Sequence, residues 1–192
     1  MKEIGKKILI VVLLIGAVVL ASWIVWDNER IVVTSFEVES EHLPDEFAGY
    51  RIVQISDLHN DEFGKDNEKL LALIKEIKPD IIAITGDLLD SRRTSVEKAL
   101  NFATQASQIA PCYYATGNHE SRIDEEFERL EVAMIEAGVY VLRNEKMVLK
   151  KDGTQITIVG IDDPRFMIDT DKVEKMEPVM GEILKGILKW TF

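Results

Sequence analysis

The chain has 192 residues, 46% hydrophobic and 30% charged, with one cysteine. That is room for one ordinary domain and a short appendage, and it excludes a disulfide-framed scaffold and a disordered or collagen-like chain. Lys and Arg number 23 against 34 Asp and Glu, a net charge of −11, so no nucleic-acid binding is expected, because phosphate backbones need a basic stripe; phosphate chemistry stays open, since bound metal ions can supply positive charge.

Residues 8–26 (ILIVVLLIGAVVLASWIVW) carry no charge and a single hydroxyl, Ser22. As a helix they span about 29 Å, close to a bilayer's hydrocarbon core. Lys2, Lys6 and Lys7 precede the run and Asp27 and Glu29 follow it. This bias predicts a single-pass segment in the cell membrane, with the N-terminus in the cytoplasm and the rest of the chain outside. Trp23 and Trp26 fall where an interfacial aromatic belt lies, or are simply apolar bulk. A cleaved secretory signal is the rival, since Val19-Leu20-Ala21 resembles a small-residue cleavage site. The length of the run and its continuation past that point favour the anchor. With three lysines and one acid in residues 1–26, the remainder carries −13. The expected division is residues 1–30, a cytoplasmic stub and membrane anchor, and residues 31–192, one domain.

Residues 31–38 alternate like a strand, and residues 42–45 are turn material. Three units then repeat one grammar. Residues 51–56 are a short apolar strand ending at Asp57. Residues 67–77 read as a helix stopped by Pro79, and residues 81–85 as a strand ending at Gly86-Asp87. Residues 95–109 read as a helix broken by Pro111, and residues 112–116 as a strand ending at Gly117-Asn118-His119. A helix over 124–137 stops at Gly138. Residues 139–142, 146–150 and 155–161 read as strands, the last two joined by an Asp152-Gly153 hairpin turn. Residues 171–188 read as an amphipathic helix. Strands alternating with helices predict an α/β fold with an at least partly parallel sheet, whose ligand site lies beyond the strands' carboxyl ends.

Those ends carry the chemistry. Asp57 and His59, two apart on extended chain, can face one point. Gly86 lets the backbone turn sharply before Asp87, and Gly117 precedes Asn118, His119 and Glu120. Carboxylate, imidazole and amide oxygen together suit borderline divalent ions such as Mn, Fe, Zn or Ni. A shared aspartate can bridge two ions, the template for in-line displacement at phosphorus. Each piece alone has a plain reading: an exposed loop acid beside a histidine, a turn with a helix cap, a left-handed turn. Three such pieces in order, each after an apolar strand, form a pattern that chance rarely gives. Asp162-Asp163-Pro164 reads as a turn rather than as ligands, residues 124–131 as a solvated helix face, and Cys112 as a buried thiol.

The motifs SDLH (56–59), GDLLD (86–90) and GNHE (117–120), spaced by near 30 residues, resemble those of the calcineurin-like metallophosphoesterases. The resemblance is strongest to the bacterial branch with an N-terminal membrane or export segment. LPDEFAGYRIVQISDLH, KPDIIAITGDLLD, PCYYATGNHE and VGIDDP extend it over residues 31–192. It implies a sandwich of two β-sheets flanked by helices, holding two divalent ions. By this resemblance Asp57 and His59 bind the first metal, Asp87 bridges both and Asn118 binds the second. His119 contacts the phosphoryl group or protonates the leaving oxygen, Glu120 stands where an acid orients that histidine, and Asp90 is a supporting residue or a helix cap.

Complete family members carry further histidines downstream. Here the histidines are His42, His59 and His119, and His42 reads as exposed. The chain therefore resembles the first two-thirds of a phosphoesterase, with an incomplete sandwich, weak second-metal binding and impaired hydrolysis. The expected partners are a phosphate-ester substrate, with a lipid-linked one suggested by the anchor, and the membrane itself. The alternative is a catalytically inactive remnant or a membrane-tethered α/β binding module. The anchor reading predicts an intact mass that includes residues 1–26; a mature chain beginning at Ser22 overturns it.

Overall fold

A computed structural model describes residues 2–28 and 30–167. They fall into an N-terminal unit that ends at Glu37 and a second that begins at Val38. The first is dominated by helix α1, Lys2–Asn28. Its stretch Glu3–Ile24, 22 residues, is long and apolar enough to cross a membrane, and none of its apolar window is buried among the described residues. That length and composition suit a membrane anchor and a signal sequence alike.

The second unit contains strands β1 (Ile52–Ile55), β2 (Ile81–Thr85), β3 (Cys112–Ala115), β4 (Tyr140–Val141), β5 (Glu145–Lys151) and β6 (Thr154–Gly160). Helices α2 (Glu68–Ile77), α3 (Val96–Ser107) and α4 (Asp124–Glu136) alternate with the first four. Those four form one all-parallel sheet in the order β1-β2-β3-β4, and β5 and β6 form a separate antiparallel hairpin. The expectation of an α/β fold with a parallel sheet is met. The hairpin turn at Asp152-Gly153 has φ of 48° and 89°, the left-handed pair that a tight two-residue connection requires.

Alternation along the central strands assigns their faces. Ile82 and Ile84 of β2 lie beside Cys112 and Tyr114 of β3, all four at most 1% exposed. This face meets the helices: the Tyr114 ring is 6.3 Å from Phe127 of α4. On the other face Ile81 and Tyr113 join Phe47, Leu142 and Leu149 in one apolar cluster, against which Met147, Ile156 and Ile158 of the hairpin pack. Ser95 caps α3 by accepting the Lys98 N–H (3.4 Å), as its place before the helix leads one to expect.

Two expectations change. Residues 31–38 lie outside any strand, and Val32, Val33, Phe36 and Val38 are exposed. Alternation supplies faces, but a strand also needs a neighbour's N–H and C=O groups, and none among the described residues takes that place. The helix expected over 171–188 lies outside the described residues.

Cys112 is fully buried on β3, and burial pushes its thiol up to about 12. The thiolate is the reacting form, so the folded chain is expected to resist Ellman's reagent at pH 8 and to react with one equivalent once unfolded in urea. Fast labelling of the folded chain would contradict this placement.

Candidate metal centre

A parallel sheet puts all carboxyl ends of its strands at one edge, and the loops after β1, β2 and β3 leave from there side by side. The first loop stays paired to the second past the end of the ladder. Asp57 N–H donates to the Gly86 carbonyl (3.1 Å), His59 N–H to that of Asp87 (2.9 Å) and Asn60 N–H to that of Leu88 (3.0 Å). To do so Asp57, His59, Asn60 and Asp87 take φ of 56°, 49°, 60° and 50°. Asp, Asn and His tolerate this left-handed region better than most residues, at a cost of about 1–3 kcal/mol each, and such residues gather where a site over-determines them.

The second and third loops touch backbone to backbone. A Cβ on Gly86 (φ 93°) would sit 2.7 Å from the Gly117 Cα, and one on Gly117 would collide with the Asp87 carboxylate and backbone nitrogen. Behind this contact lies the Glu120 side chain, 0% exposed. Its Oε2 accepts the N–H groups of Asp87 (3.0 Å) and Gly117 (2.9 Å), and its Oε1 accepts that of Leu89 (3.0 Å). The Glu120 carboxylate, expected beside His119, thus meets these backbone donors in the structure. Consecutive residues on this turn point apart, and Glu120 goes inward to the backbone donors. Burial, then the charge of Glu120, raises the Tyr114 phenol well above its ordinary range, so it stays neutral beside that carboxylate.

In front of the glycines, ligand atoms of His59, Asp87 and His119 lie within 4.8 Å of one another. The His59 and His119 rings meet edge to face, with centroids 4.4 Å apart. His59 Nε2 is 3.6 Å from Asp57 Oδ1, while its Nδ1 is buried with no hydrogen-bond partner among the described residues. A buried nitrogen left without a proton partner is unfavourable unless something else fills it. With Asp57 near Nε2 and Asp87 in the same cluster, a cation fits. Asp87 Oδ1 accepts the His119 backbone N–H (2.7 Å), and Asp57 Oδ2 accepts from Ser56 Oγ (2.6 Å).

His119 differs from His59. Its Nδ1 lies 3.0 Å from the Ser91 backbone N–H and 3.2 Å from Ser91 Oγ. A backbone N–H can only donate, so Nδ1 is the acceptor and the neutral ring carries its proton on Nε2. The acid beside this ring is Asp90, whose Oδ1 is 3.7 Å from Nδ1. A hydrogen bond from the Arg92 N–H, helped by Arg93, holds Asp90 below the usual carboxylate range. Asn60 ties these loops together: its Oδ1 accepts the N–H groups of Asp90 (3.0 Å) and Ser95 (3.1 Å). Asn118, turned so that its amide oxygen faces both donors, accepts the His119 N–H (3.3 Å) and Arg165 Nη1 (3.1 Å).

Sequence reasoning passed over Ser91, Asn60 and Arg165, whose partners lie on other loops. It left Asp162 as turn material, but the structure buries it at 4% exposure. Its carboxylate accepts from Thr116 Oγ1 (2.8 Å) and Arg143 Nε (3.0 Å). The only sequence signal was its place one residue past the end of an apolar strand.

The fold brings a His/Asp ligand cluster to the strand-end loops of a parallel sheet, and comparison with known proteins gives the family. The profile of the calcineurin-like phosphoesterases matches residues 50–176, and the chain belongs to that family. It is 36% identical over 116 residues to the uncharacterized metallophosphoesterase YkoQ of Bacillus subtilis (strain 168), covering 58% of this chain and 43% of that one. It is 29% identical over 161 residues to the transmembrane protein with metallophosphoesterase domain of Danio rerio, covering 80% of this chain and 36% of that one. Among solved structures, phosphopantetheinyl hydrolase from Mycobacterium tuberculosis aligns at 18% identity and a TM-score of 0.45, over 72% of this chain and 52% of that one. The chain thus spans less than half the length of these two curated relatives.

Glu120→Gln turns an amide NH2 toward backbone N–H donors and removes the charge from the remaining acceptor. It is expected to lower the unfolding free energy by about 2–4 kcal/mol, read from urea denaturation of the full chain in detergent. An unchanged midpoint would show that this carboxylate does not hold the loops.

Proposed function

We propose that this chain is a metal-dependent phosphoesterase that hydrolyses phosphomonoesters or phosphodiesters at a membrane surface. The observation that carries the reading is the cluster of His59, Asp87 and His119 ligand atoms within 4.8 Å of one another, in a chain of the calcineurin-like family. Asp57, His59 and Asp87 would hold a first divalent ion, and Asp87 with Asn118 would form the second position. Mn, Fe, Zn and Ni all suit this donor set. When bound, such an ion supplies Lewis-acid polarisation of water and of the phosphoryl oxygens. The chain's own groups do the rest. The Ser91 N–H fixes the His119 ring, and Nε2–H donates to a phosphoryl or leaving oxygen as negative charge grows there. Glu120 keeps the Asp87 and Asn118 loops at fixed spacing.

In this reading residues 1–30 are the stub and membrane anchor, with the N-terminus in the cytoplasm. Residues 31–192 are the phosphoesterase domain outside, and β5–β6 belongs to the second sheet of the sandwich. A substrate at the membrane surface, a lipid-linked phosphate ester, follows from the anchor. The donor set supports one tightly held ion better than two, and slow turnover.

Manganese titration of the full chain, followed by the EPR signal of free Mn2+, tests this together with aryl phosphate turnover. Asp87→Asn is expected to weaken Mn2+ binding at least tenfold, by analogy with the effect of disturbing a ligand's own support, and to abolish turnover. His119→Gln is expected to cut turnover about 100- to 10,000-fold with Mn2+ affinity within a few-fold of the parent, because its ring gives a proton and no lone pair. Unchanged Mn2+ binding in Asp87→Asn overturns the assignment; tight Mn2+ binding with no turnover of any phosphate ester favours a non-catalytic binding module.

A further inference from the structure

The turn after β6 is built to hold one cation against the site. On one side Asp162 is locked by Thr116, Arg143 and Asn144; its backbone N–H also donates to Asn144 Oδ1 (3.1 Å). Asp163 Oδ1 accepts the Arg165 N–H (2.9 Å), which caps the short turn Pro164–Met167. Pro164 restricts its own φ there. On the other side the Phe166 ring lies 5.5 Å from Phe127, and the Arg143 guanidinium stacks over it at 4.7 Å. Arg165 is thus an exposed residue between two anchored neighbours. Its Nη1 reaches the amide oxygen of Asn118 at 3.1 Å, and Asn118 adjoins His119.

The other arginines with partners at this end are neutralised. Arg93 pairs with Asp61 and Asp90, and Arg143 with Asp162 and Glu131. The Arg165 guanidinium has no carboxylate partner among the described residues; only its backbone N–H meets Asp163. A guanidinium with a neutral partner keeps its full charge for an incoming anion, and its remaining N–H groups match the fork of two phosphoryl oxygens. The need is plain in a chain whose residues 27–192 carry −13: without local positive charge, an anionic ester meets a repelling field.

We propose that Arg165 binds a phosphoryl oxygen of the substrate from the Asn118 side of the centre. The ligand class is a phosphate-ester anion, and the assignment rests on the phosphoesterase reading above. The test uses the full chain in detergent with Mn2+ bound and inorganic phosphate as the probe, titrated by calorimetry. Arg165→Ala is expected to weaken phosphate binding about tenfold or more while Mn2+ affinity, read by EPR, stays within twofold. Arg165→Lys is expected to recover only part of the loss, because an ammonium lacks the planar fork. Equal phosphate affinity in the parent and Arg165→Ala overturns the proposal alone. So does a fall in Mn2+ affinity with phosphate unchanged, which would make Arg165 a support for Asn118. A parent chain that binds no Mn2+ overturns the phosphoesterase reading, and this proposal with it.

Discussion

One wholly buried carboxylate sets the spacing of the candidate centre. The parallel sheet brings the loops to a common edge, but an edge leaves them free to splay. Glu120 takes three N–H groups from two different loops, at 2.9–3.0 Å each. Those donors are where water would otherwise have to enter, and without an acceptor each would be a buried, unpaired group. The charge therefore satisfies the backbone and locks Asp87 against the Gly117-Asn118-His119 turn. Everything in front of that lock inherits its precision, because ligand geometry is only as good as the backbone beneath it.

Two imidazoles of one cluster are given opposite chemistry by their neighbours. His59 keeps a bare, buried Nδ1 while its Nε2 faces Asp57. His119 has its Nδ1 filled by a backbone donor from Ser91. The first ring offers a lone pair, and the second an N–H. The distinction comes from a hydrogen bond made outside the cluster, by Ser91, next to Asp90, whose own N–H is held by Asn60.

Local pattern carried the elements and strand-end motifs because their signals are local. Pro79, Pro111 and Gly138 punctuate the helices, and β2 is Ile81–Thr85, as its apolar run indicates. The Asp152-Gly153 pair marks the hairpin. What escaped was contact across distance. Thr116 and Asp162 meet over 46 residues, and nothing in either neighbourhood announces the other. The family resemblance set Glu120 beside His119, whereas its carboxylate meets three backbone N–H groups of two loops. Residues 31–38 have strand alternation but no pairing, since the pattern reports a face and is silent about a neighbour.

The meeting of Gly86 and Gly117 has a consequence for how such a chain can drift. A side chain on Gly86 would need the room of the Gly117 backbone, and one on Gly117 the room of Asp87, so the two positions hold one seam although they lie far apart in the chain. A methyl group on either one wedges the loops apart, and trimming a neighbouring side chain gives no relief, because backbone atoms stand in the way. Ligand residues can be exchanged for other donors one at a time, but this seam admits no intermediate, and it should outlast the chemistry it was built to serve.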